Sequence, residues 1–202
     1  MSADAALILA AGAARRWKNG PKALARWRDR PLIDHVCEVA LIAGAHPVRR
    51  VLGAHHELIL AGSIAHDVAT TLNINWAAGM GESLACGARA LLEDDNAGDC
   101  AGTWILLCDQ PLVTAQTLLA LRDEHLRSGA GLVFSVADDG RRGPPAYVAR
   151  AFWTALANLT GETGARALAT AYPDQVALVP ALDSLADIDT FDDYARLIAQ
   201  LD

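Results

Sequence analysis

Three cationic residues follow a short apolar run near the start of the chain. The run from Leu7 to Gly12 reads Leu-Ile-Leu-Ala-Ala-Gly, and Arg15, Arg16 and Lys22 come soon after it. The small side chains at 10–12 leave room for backbone N–H groups to approach an anion, and the cations would supply the charge that binds a triphosphate. The pattern fits equally well a buried first strand followed by an ordinary basic loop, and this segment alone does not separate the two.

An aspartate stands directly after the clearest apolar strand pattern in the chain. Asp109 follows 103–108, a run without charge that is typical of a buried strand, and Pro111 ends that strand. A carboxylate here lies at the edge of the predicted sheet and suits Mg²⁺, which takes one or two carboxylates and bridges to substrate phosphates. The alternative is that Asp109 caps the next helix, but Thr114 is better placed for that role.

Two further aspartates precede the last predicted helix. Thr190 has the residue type and position of an N-cap, and Asp192 and Asp193 lie in the first turn, where the helix dipole favours negative charge. Asp187 and Asp189 come before the cap, and residues two apart on an extended segment project to the same side. One of them is a candidate second carboxylate for the metal, although stabilisation of the helix start alone would explain the acidic segment.

A pair of glycines precedes another predicted helix. Gly79 and Gly81 flank Met80, and Ser83 lies in the first turn. Glycines permit an open backbone at a helix N-terminus, where free N–H groups favour an anion or a polar base edge, and Ser83 would donate a hydrogen bond. A common strand-to-helix turn with Gly81 as N-cap also explains the pattern, and it is favoured when the segment is considered alone.

Strands and helices alternate along the chain and would position these residues. Periodicity and turn residues predict strands at 5–10, 48–52, 71–74, 103–108, 131–136 and 176–179. Helices are predicted at 31–43, 56–61, 82–92, 115–127, 151–158, 165–171 and 191–201. The alternation predicts an α/β fold in which helices cover both faces of a mainly parallel sheet, a three-layer α/β/α arrangement. Ligands bind beyond the carboxyl ends of such strands, where the loops 11–22, 76–81 and 109–114 are expected to meet.

Composition and charge restrict the classes of protein and ligand. The chain has 202 residues, of which 52% are hydrophobic, and is expected to form a single domain over 1–202. Its net charge of −7 argues against broad binding to nucleic acids. No segment is long and apolar enough to span a membrane, and the N-terminus lacks the basic region of a secretory signal. The four cysteines are widely spaced, which predicts reduced thiols in a cytoplasmic protein.

Several common catalytic motifs do not occur in the sequence. Ala23 follows Gly20-Pro21-Lys22 where a Walker A loop needs Ser or Thr, and no G-x-G-x-x-G follows the first strand. Neither G-x-S-x-G nor H-E-x-x-H is present. The sequence therefore gives no support to a P-loop, a dinucleotide-binding loop, a serine hydrolase site or a zinc protease site.

Four motifs occur in order over nearly the whole chain. They are L-A-A-G with Arg16 and Lys22, W-x-x-G-M-G-x-S-L at 76–84, C-D-Q-P at 108–111 and D-I-D-T at 187–190. Together they resemble the motifs of the molybdenum cofactor cytidylyltransferases and other MobA-like nucleotidyltransferases. The resemblance implies a Rossmann-like domain of the glycosyltransferase-A type. It also implies transfer of CMP from CTP to the phosphate of the molybdopterin form of the cofactor, with Mg²⁺ required and pyrophosphate released.

The resemblance also implies roles for individual residues. Arg16 and Lys22 would hold the β- and γ-phosphates, because nucleotidyl transfer depends on positioning and charge neutralisation. Asp109 would bind Mg²⁺, with Asp187 or Asp189 as a second ligand. The base and ribose would be framed by the first loop and the glycine turn: Leu9, Ala10, Ala11, Gly12, Gly79, Gly81 and Ser83. In this family L-A-A-G accompanies cytidine and L-A-G-G accompanies guanosine, so Ala11 favours CTP.

The sequence departs from the family pattern in two places. Trp17-Lys18 replaces the Met-Gly that usually follows the loop arginine, and Pro144 stands where a G-H-P pattern has histidine. Arg166 lies in a segment that matches G-x-x-G-A-R and is a candidate contact for the acceptor phosphate. Two alternatives stay open. One is a guanylyltransferase or sugar-phosphate nucleotidyltransferase of the same fold, and the other is a non-catalytic relative that delivers nucleotide or cofactor to a molybdoenzyme or its chaperone.

Overall fold

A seven-stranded sheet forms the centre of the protein. The computed structural model describes residues 3–65, 68–181 and 185–199. The strands are β1 (Asp4–Ala10), β2 (Arg26–Trp27), β3 (Arg30–Pro31), β4 (Ala45–Leu52), β5 (Ala69–Leu72), β6 (Gly102–Leu107), β7 (Leu132–Val136), β8 (Arg142–Ala149) and β9 (Val176–Pro180). The short pair β2 and β3 forms a separate antiparallel hairpin, and the other strands have the order β5-β4-β1-β6-β8-β7-β9.

Most neighbouring strands in the sheet are parallel. The exception is β8, which runs antiparallel to β6 and to β7. β1 is bonded in parallel to β4 on one side and to β6 on the other, and all seven of its residues are buried. A strand in this central position is covered on both faces, which explains its continuous apolar sequence. The prediction of a mainly parallel sheet is confirmed.

Helices cover both faces of the sheet. They are α1 (Leu32–Ile42), α2 (His56–Gly62), α3 (Met80–Leu92), α4 (Ala115–Ser128), α5 (Trp153–Ala157), α6 (Arg166–Ala171) and α7 (Phe191–Ile198). Successive β1 side chains point to opposite faces. Ile8 packs in one buried cluster with residues of α1 and α4, and Leu7 packs in another with residues of α3, α5 and α6. The predicted α/β/α layering is therefore confirmed.

Besides the short hairpin of β2 and β3, which was not predicted, the strands differ from the predictions in two places. β8 was not predicted, because Pro144-Pro145 interrupts its apolar pattern and proline donates no ladder hydrogen bond. The strand expected at 71–74 lies at Ala69–Leu72, since Asn73 and Asn75 begin a turn. The other predicted strands are present, with ends that differ by one to three residues.

The helix predictions are confirmed in position, and two of them are too long. The segment predicted as a helix at 151–158 is a 3₁₀ turn at Arg150–Phe152 followed by α5. The last helix ends at Ile198, and Leu201 lies outside the described residues. None of the helices in 3–65, 68–181 and 185–199 is both long and apolar enough to cross a membrane.

The N-caps of two helices and the state of the cysteines agree with the predictions. The Thr114 hydroxyl accepts a hydrogen bond from the backbone of Thr117, and Thr190 forms a capping box with Asp193, so both predicted N-caps are confirmed. Thr114 thus leaves Asp109 without a capping role. All four cysteines are unpaired, as predicted, and three of them are buried.

Candidate active site

The loops after β1, β5 and β6 meet at one edge of the sheet. They enclose a cleft of about 430 Å³, which the 3₁₀ turns Lys22–Leu24 and Trp76–Ala78 help to line. The carboxyl ends of parallel strands meet at this edge, as expected for a ligand site in an open α/β sheet. The cleft walls include most of the predicted site residues: Leu9, Ala10, Ala11, Gly12, Lys22, Gly79, Ser83 and Asp109.

Lys22 and Asp109 form an ion pair at the cleft wall. The Lys22 Nζ donates a hydrogen bond to Asp109 Oδ2 and lies 3.7 Å from Asp189 Oδ1. Only 11% of the Lys22 side chain and 18% of the Asp109 side chain are exposed. Burial acts to lower the pKa of Lys22, but the charge of Asp109 and its hydrogen bond outweigh it, so the pKa is raised. The ammonium group therefore stays charged at neutral pH.

The segment before α7 is bonded to the turn after β6. The Ile188 backbone N–H donates to the Asp109 carbonyl at 2.9 Å, and the Ile188 side chain is fully buried. Gln110 Nε2 donates to Asp187 Oδ1 at 2.9 Å and to the Pro144 carbonyl at 3.0 Å. These bonds tie Asp187 to the turn that carries Asp109.

The pKa of the Asp187 carboxyl group is raised above its ordinary value. Burial raises the pKa of Asp187, the neighbouring Asp109 carboxylate raises it further, and the hydrogen bond from Gln110 opposes both effects. A cation placed beside the Asp187 carboxylate would offset the effects of its burial and of the Asp109 charge. The pair is therefore an electrostatically favourable position for a divalent ion.

Arg16 reaches the same acidic segment from the first loop. Its guanidinium lies 2.9 Å from the Asp189 carboxylate, and 70% of its side chain is exposed. Arg15, its neighbour, lines the cleft wall instead. Arg16, Asp189, Lys22 and Asp109 thus form a chain of charges, in which Lys22 and Asp109 line the cleft whereas Arg16 and Asp189 lie outside its wall.

Trp17 points away from the cleft and anchors the first loop. Its ring is buried with Trp27, Leu32 and Ile188, and it makes a T-shaped contact with the Tyr194 ring of α7 at a centroid distance of 5.7 Å. The departure from the family pattern at this position therefore places the bulky ring in the interior. The ring ties the loop that carries Arg16 to the segment that carries Asp189.

A close backbone contact explains the two predicted glycines. Gly79 has φ +120°, and a Cβ there would lie 2.4 Å from the carbonyl oxygen of Gly161. The Gly81 N–H donates to the same carbonyl at 2.9 Å, and a Cβ at Gly81 would lie 2.6 Å from two further carbonyls. α3 begins at Met80 with Gly79 as its N-cap, so Gly81 is not the cap. Gly81 packs behind the cleft and its N–H is already bonded.

A second cleft of about 210 Å³ adjoins the first. Leu9, Leu107, Met80 and Glu162 line both clefts. The apolar part of the lining of the second cleft includes Leu84, Ile105 and Phe134. The polar and charged part includes Gln110, Arg141, Arg142, Arg166 and Asp187. Asp109 lines the first cleft and Asp187 the second, so the ion-pair region lies where the two meet.

The residues at this junction fit a divalent cation. Within the described residues, no three His, Cys, Asp or Glu side chains are grouped to hold a metal by themselves. Mg²⁺ needs only one or two carboxylates, because waters and substrate phosphates complete its octahedron. Asp109 and Asp187 provide the carboxylates, and the buried Gln110 Oε1 has no hydrogen-bond partner in the described part of the chain. The donors are all oxygens, as hard cations prefer.

The sequence that forms these clefts matches a known family. A family model of the MobA-like NTP transferase domain matches residues 6–176. The chain belongs to the MobA-like NTP transferase family. The matched range includes the first loop, the glycine turn and Asp109, whereas Asp187 and Asp189 lie beyond it.

Two relatives of this MobA-like chain match nearly all of it. Nicotine blue oxidoreductase of Paenarthrobacter nicotinovorans is 31% identical over 200 residues, which cover 95% of each sequence. The structure of Rv0371c from Mycobacterium tuberculosis H37Rv has a TM-score of 0.81 at 26% identity and covers 98% of each chain. Rv0371c in complex with manganese gives a TM-score of 0.71 at 24% identity, with 98% of this chain and 100% of that chain covered.

A molybdopterin-related structure shares the fold. Molybdopterin-guanine dinucleotide biosynthesis protein A from Archaeoglobus fulgidus has a TM-score of 0.62 and covers 98% of this chain and 99% of its own. Its sequence identity of 17% restricts the likeness to the fold.

Some residues of this MobA-like site were not singled out from the sequence. Gln110 follows Asp109 and is 2% exposed, yet it bonds both Asp187 and the Pro144 carbonyl. Its place between a strand-end carboxylate and a proline is a usable signal for a positioning role. Arg142 and Glu162 gave no such signal, because only the fold brings β8 and the 160–164 loop to the clefts.

Proposed function

We propose that this protein transfers CMP from CTP to the phosphate of a molybdopterin-type acceptor and releases pyrophosphate. The observation that carries the proposal is the pair of adjoining clefts, of which one is lined by Lys22 and Asp109 and the other by Asp187. One cleft has the small-residue loop that suits a nucleotide, and the other has an apolar floor with arginines that suits a ring system bearing a phosphate. The whole chain, 1–202, acts as one nucleotidyltransferase domain in this proposal.

The nucleotide cleft supplies charge for the leaving group. In the proposal, Lys22 and Arg16 leave their aspartate partners and bind the β- and γ-phosphates. Ala10, Ala11 and Gly12 keep side chains out of the path of the triphosphate, so backbone N–H groups approach it. Gly79 and Ser83 border the base and ribose, together with Leu9, while Gly81 supports them by closing the contact with Gly161.

The acceptor cleft positions the attacking phosphate. An oxygen of the acceptor phosphate attacks the α-phosphorus of CTP, the α–β phosphoanhydride bond breaks, and pyrophosphate departs in line. The phosphate is already ionised, so no general base is required. Arg142 and Arg166 are in the right cleft to hold it, and orientation of the two substrates supplies much of the rate enhancement.

Asp109 and Asp187, or Asp189 in place of Asp187, would hold Mg²⁺. When bound, the ion neutralises charge that develops on the transferred and leaving phosphates. A structural relative, Rv0371c, is known in complex with manganese, which is consistent with use of a divalent ion by this fold. Gln110 acts here through its hydrogen bond, which fixes the direction of the Asp187 carboxylate.

The choice of CTP over GTP rests on Ala11 and the L-A-A-G loop to which it belongs. Ala11 lines the nucleotide cleft beside Trp76. The product would be passed to a recipient molybdoenzyme or to its chaperone, and an acceptor other than the molybdopterin type remains the alternative because Pro144 borders the second cleft.

A calorimetric titration with CTP and with GTP, each with Mg²⁺, tests the proposal first. Tighter binding of CTP supports it, and release of pyrophosphate with a molybdopterin-type acceptor completes the test. Preference for GTP would move the function to guanylyl transfer. Binding of nucleotide without pyrophosphate release from any acceptor would favour a non-catalytic relative.

An oxidoreductase is a second candidate, because the 31% identical relative bears that name. Such an activity needs a redox cofactor. The test is a titration with NADH and NADPH under the same conditions. Binding of either at least as tight as CTP would favour this candidate over nucleotidyl transfer.

A further inference from the structure

Asn73 forms a buried hydrogen-bond relay behind the nucleotide cleft. It follows β5 and is only 3% exposed. Its Oδ1 accepts a hydrogen bond from the backbone N–H of Asn75 at 2.9 Å, and its Nδ2 donates to Ser83 Oγ at 3.1 Å. A backbone N–H can only donate, so the oxygen of the Asn73 amide must face Asn75. The orientation of the amide is therefore fixed, and its NH₂ group faces Ser83.

The orientation of Asn73 determines what Ser83 can offer. Ser83 Oγ receives the amide proton, which leaves the serine's own proton to be donated elsewhere. In 3–65, 68–181 and 185–199 the structure gives that proton no acceptor. Ser83 is 5% exposed and lines the nucleotide cleft. A buried hydroxyl with an unused proton at a cleft wall is a hydrogen-bond donor presented to the ligand.

We propose that Asn73 is a positioning residue: it occupies one lone pair of Ser83 Oγ and so favours donation of the serine proton toward the nucleobase. A donor favours a base edge rich in acceptors, such as O2 and N3 of cytosine. It matches the N1–H and N2–H₂ edge of guanine less well, because the serine proton then faces another donor and only the second lone pair of Ser83 Oγ can accept. The inference rests on the proposed nucleotide cleft, and it assigns part of the base selectivity to a residue that never touches the base.

The substitution Asn73→Asp reverses the relay. One carboxylate oxygen still accepts from the Asn75 N–H, while the other accepts the Ser83 proton, so the serine lone pairs turn to the cleft. We expect the ratio of GTP to CTP dissociation constants to fall about tenfold, as expected for one mismatched hydrogen bond in a buried site. Calorimetry with both nucleotides, each with Mg²⁺, measures the ratio.

A double-mutant comparison separates the relay from a general effect of the new charge. Ser83→Ala removes the hydroxyl that the relay orients, while an aspartate at 73 would still carry its charge. In the Ser83→Ala background, Asn73→Asp should leave the ratio within about twofold, although both affinities fall through repulsion of phosphate. An equal change in the ratio with and without the Ser83 hydroxyl would overturn the inference.

A second substitution keeps the test decisive if Asn73→Asp lacks a cooperative melting transition. Asn73→Ala removes the donor and lets the Ser83 hydroxyl rotate, so the ratio of GTP to CTP dissociation constants should fall about threefold, again only when Ser83 is present.

A wild-type preference for GTP would refute the cytidylyl proposal, yet a Ser83-dependent change on substitution of Asn73 would still support the relay. A wild-type preference for CTP that neither substitution alters would refute the relay alone. A protein that binds neither nucleotide refutes both.

Discussion

At the scale of single residues, the site depends on pairs of side chains that form ion pairs or hydrogen bonds with each other. Lys22 is bonded to Asp109, Arg16 to Asp189, and Gln110 to Asp187. Most of the charged groups that the proposal needs are therefore held in place by other groups of the same site. Substitution of one member is expected to affect its partner as well as the substrate.

Asp109→Asn should abolish most of the turnover and cost moderate stability. The amide cannot replace a carboxylate as a cation ligand, so we expect a loss of at least about 100-fold in turnover. Lys22 loses its ion-pair partner in a mostly buried position, which should cost about 2 kcal/mol of unfolding free energy. Pyrophosphate release and chemical denaturation measure the two effects. Wild-type turnover would remove Asp109 from the proposed metal site.

Lys22→Ala should weaken triphosphate binding more than monophosphate binding. In the proposal the ammonium contacts the β- and γ-phosphates, which CMP does not have. We expect the dissociation constant for CTP to rise at least about tenfold, against about twofold for CMP. Calorimetry with both ligands measures the difference, and equal losses would place Lys22 elsewhere.

At the scale of elements, the first loop and α7 are held together through Trp17. The aromatic contacts with Phe191 and Tyr194 and the burial of Ile188 join segments that are about 170 residues apart in sequence. The loop that carries Arg16 and the segment that carries Asp189 are thus positioned by one shared cluster. Trp17 is a departure from the usual loop sequence that strengthens this connection.

Trp17→Ala should lower stability and turnover together. Removing a buried tryptophan side chain costs about 3 kcal/mol, and the released loop no longer holds Arg16 in place, so turnover should fall at least about tenfold. Phe191→Ala is the control, because that ring is half exposed and should cost less than about 1 kcal/mol. Thermal melting and pyrophosphate release at a temperature below both transitions give the comparison. Unchanged turnover in Trp17→Ala would show that the cluster does not position the loop.

The elements also show what the sequence can and cannot specify. Parallel strands with continuous apolar runs, such as β1 and β6, were predictable because burial on both faces leaves a clear signature. β8 was not, since Pro144-Pro145 resembles a loop until a central position in the sheet is known. Asp109 was predictable from its place after β6. Gln110 and Arg142 were not assigned roles, because their partners are distant in sequence and only the fold brings them together.

At the scale of the whole molecule, the two ends of the sheet carry different polar groups. β1 begins at Asp4 and ends at the cleft, about 20 Å away for a strand of this length. Asp4 is buried and accepts a hydrogen bond from the Tyr147 hydroxyl at 2.7 Å. Burial raises the pKa of Asp4, and the hydrogen bond from Tyr147 opposes this only in part. Asp4 therefore affects stability at the end of the sheet opposite the cleft.

Asp4→Asn should stabilise the protein at neutral pH but not in acid. With a folded-state pKa above the unfolded value of 3.8, Asp4 contributes its full stability below pH 3.8. That contribution is lost as pH rises through the folded-state pKa, because the buried carboxyl must ionise. The amide removes this penalty, so the melting temperature should rise at pH 7 and match the wild type near pH 3.5. CTP affinity, measured as a control, should not change.

The bond between Lys22 and Asp109 also bears on the order in which ligands bind. Because Lys22 is attached to the chain, its effective concentration at Asp109 is far above that of any dissolved cation. A divalent ion alone must therefore compete with a tethered counter-ion, and polyphosphate that draws Lys22 away removes the competitor. Linkage makes the effect mutual. We expect manganese to bind more tightly when CTP is present, and CTP to bind more tightly when manganese is present, by the same factor.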